Sequence, residues 1–274
     1  MYAFGPLPRQ KNTGRMIGTH QKIDRVARRH LRRYLAKDSF FPGITEILHF
    51  EGQRGPDGVK LKSPGRDEPW HFINPENPSG ELLDSVHDHI TNLARALAEQ
   101  NRERAAFEAA WLAHAVTDGL TPAHHDPLHE QLDEIKQHDS TERAQKVRSK
   151  VIMSGGGSSK QFIKNNWEYW GAKGVMTTHT LFEAGVAVAA KPFTFETGLP
   201  SQHDIQDVID QGFEAVYLKL VTEVAALDMY ATFKEKGWTS KLARQTNFDL
   251  LPRTIMAVTL AWYAAYRMSQ GMTK

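Results

Sequence analysis

The strongest constraint on the fold of this chain is a pair of histidine–carboxylate steps on apolar helical stripes. His114 and Asp118 stand four residues apart, and His179 and Glu183 repeat that step further along the chain. Residues at this spacing share one face of an α-helix. Both pairs therefore face the interior of a helical core. The apolar residues that continue the stripes are Phe107, Ala110 and Trp111 for the first pair, and Phe182, Val186 and Ala190 for the second.

The carboxylates of these two pairs need partners. A carboxylate on an apolar stripe is costly to bury unless it is paired, hydrogen-bonded or coordinated. A histidine and a carboxylate four residues apart can bind one divalent metal ion, as the paired histidines of HExxH do. For either pair alone, a hydrogen bond inside a helical core is an equally good interpretation. His124 follows Asp118 by six residues, and two pairs together with this third imidazole favour a metal-dependent hydrolase.

The composition restricts which side chains can bind that metal. The 274 residues include thirteen histidines and no cysteine. Disulfide bonds and thiolate ligands are therefore excluded, and His, Asp and Glu are the strong ligands that remain. The net charge of +2 is close to neutral and indicates no class of partner. We expect an N-terminal arm over residues 1–18 and one helical domain over residues 19–274.

Hydrophobic periodicity predicts an all-α, multi-helix bundle, because no ladder of strands is apparent. The longest apolar run, residues 255–266, is too short to span a bilayer, so no transmembrane segment is expected. The N-terminus lacks the apolar stretch of a signal peptide, which predicts a cytoplasmic protein, or a secreted one if a leader has been removed. The predicted helices cover about 19–37, 43–51, 81–100, 103–118, 130–150, 175–190, 205–236 and 248–269, with a loop over 52–69 and a flexible turn over 154–160.

Several motifs are similar to those of one known superfamily. The run HAVTDGLTPAHH (114–125) resembles the HxxxDxxxxxH signature of the zinc-dependent phospholipase C and single-strand nuclease superfamily, and HTLFEAGV (179–186) resembles its HxxxE motif. The resemblance spans most of residues 19–269 in the expected order. Glu183 and the absence of cysteine are closer to the phospholipase C branch. Three weaker matches are GTHQKIDRVARRHL (18–31) to the first helix, DEPWHFINP (67–75) to a ligand loop, and LPRTIMAVTLAWYAAYR (251–267) to the closing helix.

The resemblance implies an all-α protein that holds three zinc ions at the base of a cleft. It also implies that phosphate esters are hydrolysed by hydroxide formed from zinc-bound water. Asp118 would bridge two of the ions, and Asp57 would orient or deprotonate the water. Carried over by position, the first zinc has Asp57, His71, His114 and Asp118 as ligands, the second has Asp118 and His20, and the third has His124, His179 and Glu183.

The sequence leaves the identity of two zinc ligands undecided. The upstream carboxylate of the first zinc is Asp57 in our prediction, with Glu51 and Asp67 as rivals, and Asp57 also fits a plain Pro-Asp-Gly turn. In secreted members of the superfamily, the amino group of the N-terminal residue binds the second zinc. Here Met1 lies nineteen residues before His20. Several alternatives stay open: Met1 or Asp24 completes this site, or the chain has a two-zinc site or a weakened third zinc, and loss of activity is a further alternative. Asp24 fits a surface ion pair with Arg28 equally well.

The activity itself has alternatives. The expected substrate is a phosphate ester, either phospholipid or nucleic acid, and a phospholipid would bring peripheral contact with a membrane. A nuclease or phosphatase on the same site, and a non-catalytic helical metal-binding module, are competing interpretations. The aromatic residues that would decide between lipid and bases cannot be placed by sequence; they are Trp70, Phe72, Trp167 and Trp170. An HD-type phosphohydrolase is a weaker alternative based on the His-Asp steps at 87–88, 125–126, 138–139 and 203–204.

Overall fold

The computed structural model describes residues 18–62, 71–125 and 158–272, and it confirms the all-α class because these ranges contain helices and no β-strand. The predicted helix at 130–150, residues 1–17 of the arm, and Asp67 lie outside the described residues.

Short 3-10 turns occupy 48–50, 52–54, 122–124 and 196–198, and a π-helical turn occupies 246–250. The helices are α1 Thr19–Leu31, α2 Ile44–Ile47, α3 Pro56–Lys62, α4 Glu81–Ala98, α5 Arg102–Gly119, α6 Ser159–Trp170, α7 Val175–Ala190, α8 Gln202–Gln211, α9 Phe213–Ala225, α10 Met229–Lys236, α11 Ser240–Gln245 and α12 Leu251–Met272.

The core is built around α12, against which α1, α4 and α5 pack. Trp262 at the middle of α12 is fully buried, and its Nε1 donates a hydrogen bond of 2.8 Å to the carbonyl of Ala109 on α5. Alanines on α5 allow its neighbours to approach from several sides, and a helix surrounded in this way buries its polar residues as well. Asp118 and His114 are therefore enclosed by the fold. The buried alanines include Ala105, Ala106, Ala109, Ala110 and Ala113.

One helix replaces part of a segment that the sequence analysis assigned to a loop, and another lies mostly where no structure was predicted. The loop predicted at 52–69 contains α3, which begins at Pro56. A proline suits the first position of a helix, and an acidic residue such as Asp57 is favourable in the first turn. The turn assignment for Asp57 is therefore wrong. Helix α6 was missed because the preceding glycine-rich run suggested a flexible turn.

The predicted helix at 205–236 consists of three helices, α8, α9 and α10. Gly212 has a φ of 83° between α8 and α9, and Asp228 has a φ of 50° immediately before α10. A residue in this left-handed region interrupts a right-handed helix. Helix α1 also ends at Leu31 rather than near Lys37.

A few contacts fix the segments that carry the predicted ligands. The amide of Ile73 donates to the carbonyl of His124 over 3.2 Å, which joins the loop after His71 to the turn that follows α5. Lys22 Nζ donates to the carbonyl of Ala190 at 2.6 Å and thereby connects α1 to the end of α7. Within the ranges described, none of the helices combines the length and apolar character needed to cross a bilayer.

Candidate metal centre

The carboxylate of Asp118 is the centre of the site and contacts imidazoles from four segments. Its Oδ2 lies 2.5 Å from Nδ1 of His71 and 3.2 Å from Nε2 of His114. Its Oδ1 lies 3.5 Å from Nε2 of His20 and 3.5 Å from Nδ1 of His124. All five side chains are buried. The two oxygens of one carboxylate thus face two separate pairs of histidines, as a bridging ligand would.

The first group that can hold a metal ion consists of Asp57, His71 and His114, whose ligand atoms lie within 4.8 Å of one another. Asp57 Oδ1 lies 3.7 Å from Nε2 of His114. The first turn of α3 supplies Asp57, the 71–75 loop supplies His71, and α5 supplies His114. This arrangement contains the residues predicted for the first zinc, with Asp118 beside them.

A second group consists of His124, His179 and Glu183. Glu183 Oε1 lies 3.2 Å from Nε2 of His179, one turn earlier on α7, and 3.4 Å from Nε2 of His124. The rings of His124 and His179 are stacked, with centroids 5.2 Å apart and planes inclined by 5°. The structure therefore brings together the three residues predicted for the third zinc.

The remaining group differs from the prediction, because His20 shares it with Glu51 and His114. Glu51 Oε1 lies 3.1 Å from Nδ1 of His114 and 3.2 Å from the amide of Gly52. Since Nε2 of His114 faces Asp118, Glu51 is on the opposite edge of the ring. A carboxylate there can accept the Nδ1 proton and orient the imidazole towards a metal ion. This placement favours Asp57 over Glu51 as the ligand that accompanies His71.

Asp24 lies on α1, one turn after His20, and is also buried. Among the residues that the structure describes, its Oδ2 has no hydrogen-bond partner, and the same holds for Oε2 of Glu51. Burial raises the pKa of Asp24 well above its ordinary value, and the nearby Glu51 raises it further. Two buried carboxylates of this kind need a proton or a cation between them. None of the three groups that can hold a metal ion among the described residues includes Asp24, so its role as a ligand of the second site stays a prediction.

The distances within the centre fit coordination better than direct hydrogen bonding. Apart from the His71–Asp118 contact, the spacings between histidine nitrogens and the oxygens of Asp57, Asp118 and Glu183 are 3.2–3.7 Å. Tetrahedral zinc with bonds of about 2.1 Å separates its ligand atoms by roughly 3.4 Å. Hydrogen bonds from nitrogen to oxygen are usually shorter. Within the described ranges, buried His20 Nε2 and His124 Nδ1 also make no hydrogen bond, as expected of nitrogens reserved for a cation.

Two histidines of the centre are held neutral. Burial lowers the pKa of His20 well below its ordinary value, and the neighbouring His114 lowers it further. Burial lowers the pKa of His124 to about 4, against the attraction of Asp118. Neutral imidazoles offer a lone pair to a metal ion. His20 and His124 are therefore in the protonation state that coordination requires.

Asp118 and His114 are held charged. Burial alone would raise the pKa of Asp118, but His114 and His124 hold it well below its usual range. Burial alone would lower the pKa of His114, but Asp118 and Glu51 raise it well above its ordinary value. The pKa of Glu183 is lowered by His179 despite burial. A metal ion would meet ionised carboxylates and would displace a proton from His114.

The His-Asp steps considered for an HD-type enzyme do not enter this centre where the structure describes them. His87 is exposed on α4 and lies 2.7 Å from Oε2 of Glu214. His203 is exposed on α8. His125 Nε2 lies 2.8 Å from the carbonyl of Gly119. The step at 138–139 and the aspartate at 126 lie outside the described residues.

An aromatic edge beside the centre was not predicted. The ring of Phe72 lies 5.4 Å from that of His124. Phe72 also packs against Tyr169 of α6, together with Val175 and Met176. The position of Phe72 next to His71 is the one sequence signal for this edge, and Tyr169 had none because α6 itself was missed.

Comparison with known proteins adds no family assignment. No family model matches the chain, and no curated protein matches it. The likeness to zinc-dependent phospholipases C and single-strand nucleases therefore depends on the motifs, and on the convergence of their residues around Asp118.

Proposed function

We propose that this protein is a zinc-dependent phosphoric ester hydrolase similar to phospholipase C. The observation that carries the proposal is the position of Asp118, whose two oxygens face separate pairs of histidines. A structural zinc needs only one closed set of four ligands. A shared carboxylate flanked by several histidine–carboxylate groups supports a multinuclear centre of the kind used in phosphate ester hydrolysis.

The donor set suits zinc, because it combines imidazole nitrogens with carboxylate oxygens and contains no thiolate. One ion would be held by Asp57, His71, His114 and Asp118. Another would be held by His124, His179 and Glu183, and a further one by His20 with Asp118. Bound zinc would supply Lewis acidity and a water of lowered pKa.

Asp57 is the ligand best placed to act on water. Its side chain is 27% exposed, whereas that of His114, 3.7 Å away, is fully buried. Partial burial alone would raise the pKa of Asp57, but His114 lowers it below its ordinary value. A carboxylate that stays ionised accepts a hydrogen bond from water and directs a water lone pair towards an incoming phosphorus atom. Asp57 therefore orients the nucleophile, while the buried Asp118 holds the imidazoles in place.

The test combines metal content with hydrolysis of a soluble ester. We expect the purified chain to contain zinc and to hydrolyse bis(p-nitrophenyl) phosphate, with activity lost on chelation and restored by zinc. His114→Ala should abolish activity, because it removes a group that faces both Asp57 and Asp118. His87→Ala, at an exposed histidine paired with Glu214, is the matched control and should be active.

Two results would contradict the proposal. Equal activity of the zinc-loaded protein and its His114→Ala form would remove the centre from the reaction. Full zinc occupancy without hydrolysis of this ester, of phosphatidylcholine or of single-stranded DNA would favour the non-catalytic metal-binding module.

A further inference from the structure

A cavity of about 490 Å³ lies between α4, α8, α9 and α12. Its volume is within the range of pockets that bind small molecules. The three groups of potential metal ligands among the described residues contain none of the residues that line this cavity. The cavity is therefore a separate feature that the metal centre does not explain.

The walls of this cavity are mainly apolar. Val86 on α4, Val208 on α8 and Phe213 on α9 are buried and line it. At its rim, Ile209 is 42% exposed and Met268 is 43% exposed. Covering apolar surface with the apolar part of a ligand removes it from water, which is favourable. The cavity therefore suits a ligand with an apolar body.

Three side chains that can carry charge line the cavity, and two of them are paired with each other. Nε2 of His87 lies 2.7 Å from Oε2 of Glu214. Arg267 is exposed near the end of α12, and its guanidinium makes no hydrogen bond or ion pair with the part of the chain that the structure describes. A guanidinium presents N–H groups that match the two oxygens of a carboxylate. The unpaired charge of the lining is therefore that of Arg267, and it suits an anion.

The inner end of the cavity offers no comparable polar group. Tyr217 lines this end and is fully buried. Its hydroxyl donates to the carbonyl of Val116 over 3.4 Å and packs against Gly119. Because the hydroxyl is already bonded to α5, the ring is the part of Tyr217 that a ligand would meet. A ligand would therefore place its apolar end towards Tyr217 and its polar end at Arg267.

We propose that this cavity binds a small monocarboxylate with an apolar body, such as a medium-chain fatty acid. The carboxylate would pair with Arg267, and the chain would lie on Val86, Val208 and Phe213. One guanidinium beside an already paired His87 and Glu214 suits a single negative charge. An organic cation would be repelled by Arg267, and an uncharged ligand would leave it unpaired. This inference does not depend on the proposed function.

The experiment is calorimetric titration of the full-length, zinc-loaded protein with octanoate, and with 1-octanol and octylammonium as probes of the head group. We expect one octanoate per chain, bound more tightly than either of the other two compounds. Arg267→Gln should weaken octanoate binding about fivefold, which corresponds to a well-placed ion pair at the surface, and should leave 1-octanol binding unchanged. Arg244→Gln, at an exposed arginine of α11 outside the cavity, is the matched control.

A second variant tests the apolar part of the cavity. Ala264 on α12 lines the cavity, so Ala264→Phe should fill the space and abolish the binding of both octanoate and 1-octanol. Arg267→Gln changes an exposed side chain and keeps the fold, so it tests the site even where Ala264→Phe fails to fold.

Three results would overturn the inference. The first is absence of octanoate binding, and the second is equal affinity for octanoate and octylammonium. The third is octanoate binding that Arg267→Gln does not weaken, since the carboxylate would then bind elsewhere, for example on the zinc ions. The proposed function is tested separately by hydrolysis of the soluble ester, which Arg267→Gln should leave unchanged. A protein that binds octanoate at Arg267 and hydrolyses no ester would keep this site and lose the enzyme.

Discussion

Glu51 and His114 form a buried carboxylate–imidazole pair in which Glu51 Oε1 lies 3.1 Å from Nδ1 of the ring. Nε2 of the same ring lies 3.2 Å from Asp118 Oδ2. Because an imidazole has two nitrogens, the contact with Glu51 fixes which of them is turned towards Asp118. Once His114 has lost a proton, Glu51 thereby selects the neutral tautomer that presents a lone pair at Nε2.

From this relationship we predict that Glu51→Gln lowers the zinc affinity of the His114 site about 10- to 100-fold. The glutamine can retain the shape of the side chain but not the negative charge that makes the imidazole more basic. Competition with a chromogenic chelator measures the affinity of each zinc ion. Glu214→Gln is the matched control, since Glu214 forms a similar pair with His87 on the exposed surface. An unchanged zinc affinity in Glu51→Gln would show that Glu51 does not support His114.

A second prediction concerns protons released when zinc binds. Asp118 and Glu51, despite burial, raise the pKa of His114 well above its ordinary value, so this ring is protonated at neutral pH without metal. Zinc must displace that proton, and the apparent affinity should fall about tenfold for each unit of pH lowered below the pKa of His114. Above that pKa the dependence disappears, because the ring is already neutral.

Calorimetric titration of zinc in buffers of different ionisation enthalpy counts these protons. We expect His114 to contribute one proton at neutral pH. His20 and His124 should contribute none, because burial lowers the pKa of both rings. If zinc binding releases no proton at neutral pH, His114 does not lose its proton to the metal ion.

The helical class and the inward direction of the two histidine–carboxylate pairs could be predicted from sequence because both depend on local periodicity. The grouping of these pairs with His20 and His71 was expected from the family resemblance. His114 with Asp118, and His179 with Glu183, lie on helices whose observed bounds, Arg102–Gly119 and Val175–Ala190, are close to the predicted ones. A ligand on an apolar stripe of a well-defined helix must point inward.

The structural features that the sequence could not predict depend on tertiary contacts. Asp57 has strong turn chemistry around it, yet the chain forms a helix from Pro56. The tautomer-fixing role of Glu51 needs the distance between two segments that are far apart in sequence. Helix α6, Ser159–Trp170, was also missed, because the glycine-rich run before it suggested a flexible turn.

A third prediction compares the bridging carboxylate with a terminal one. Asp118 contacts His20, His71, His114 and His124, whereas Glu183 belongs to one group of potential ligands, with His124 and His179. Asp118→Asn should therefore reduce the bound zinc by more than one ion per chain, and Glu183→Gln by one. Elemental analysis of the purified variants gives both numbers. Equal losses would mean that Asp118 does not bridge two ions.

The last prediction concerns Gly119, which ends α5 immediately after Asp118. A Cβ added there would meet Oη of Tyr217 far inside van der Waals contact and Cδ2 of Leu82 at 2.8 Å. Tyr217 is fully buried and cannot easily move away. Gly119→Ala should therefore lower the free energy of unfolding by about 1–3 kcal/mol, as overpacking does. It should also weaken zinc binding, because the atoms that move to relieve the clash lie next to Asp118.

Urea unfolding of the metal-free protein measures the stability change, and two variants test its cause. Tyr217→Phe removes the hydroxyl that the new methyl group would meet, so the Gly119→Ala, Tyr217→Phe double variant should recover much of the loss. Gly271→Ala, where no atom lies within 4 Å of the added Cβ, should be close to neutral. If Gly119→Ala alone were as stable as the original protein, the close packing of Tyr217 behind Asp118 would be wrong. Tyr217 would then give no support to the metal centre.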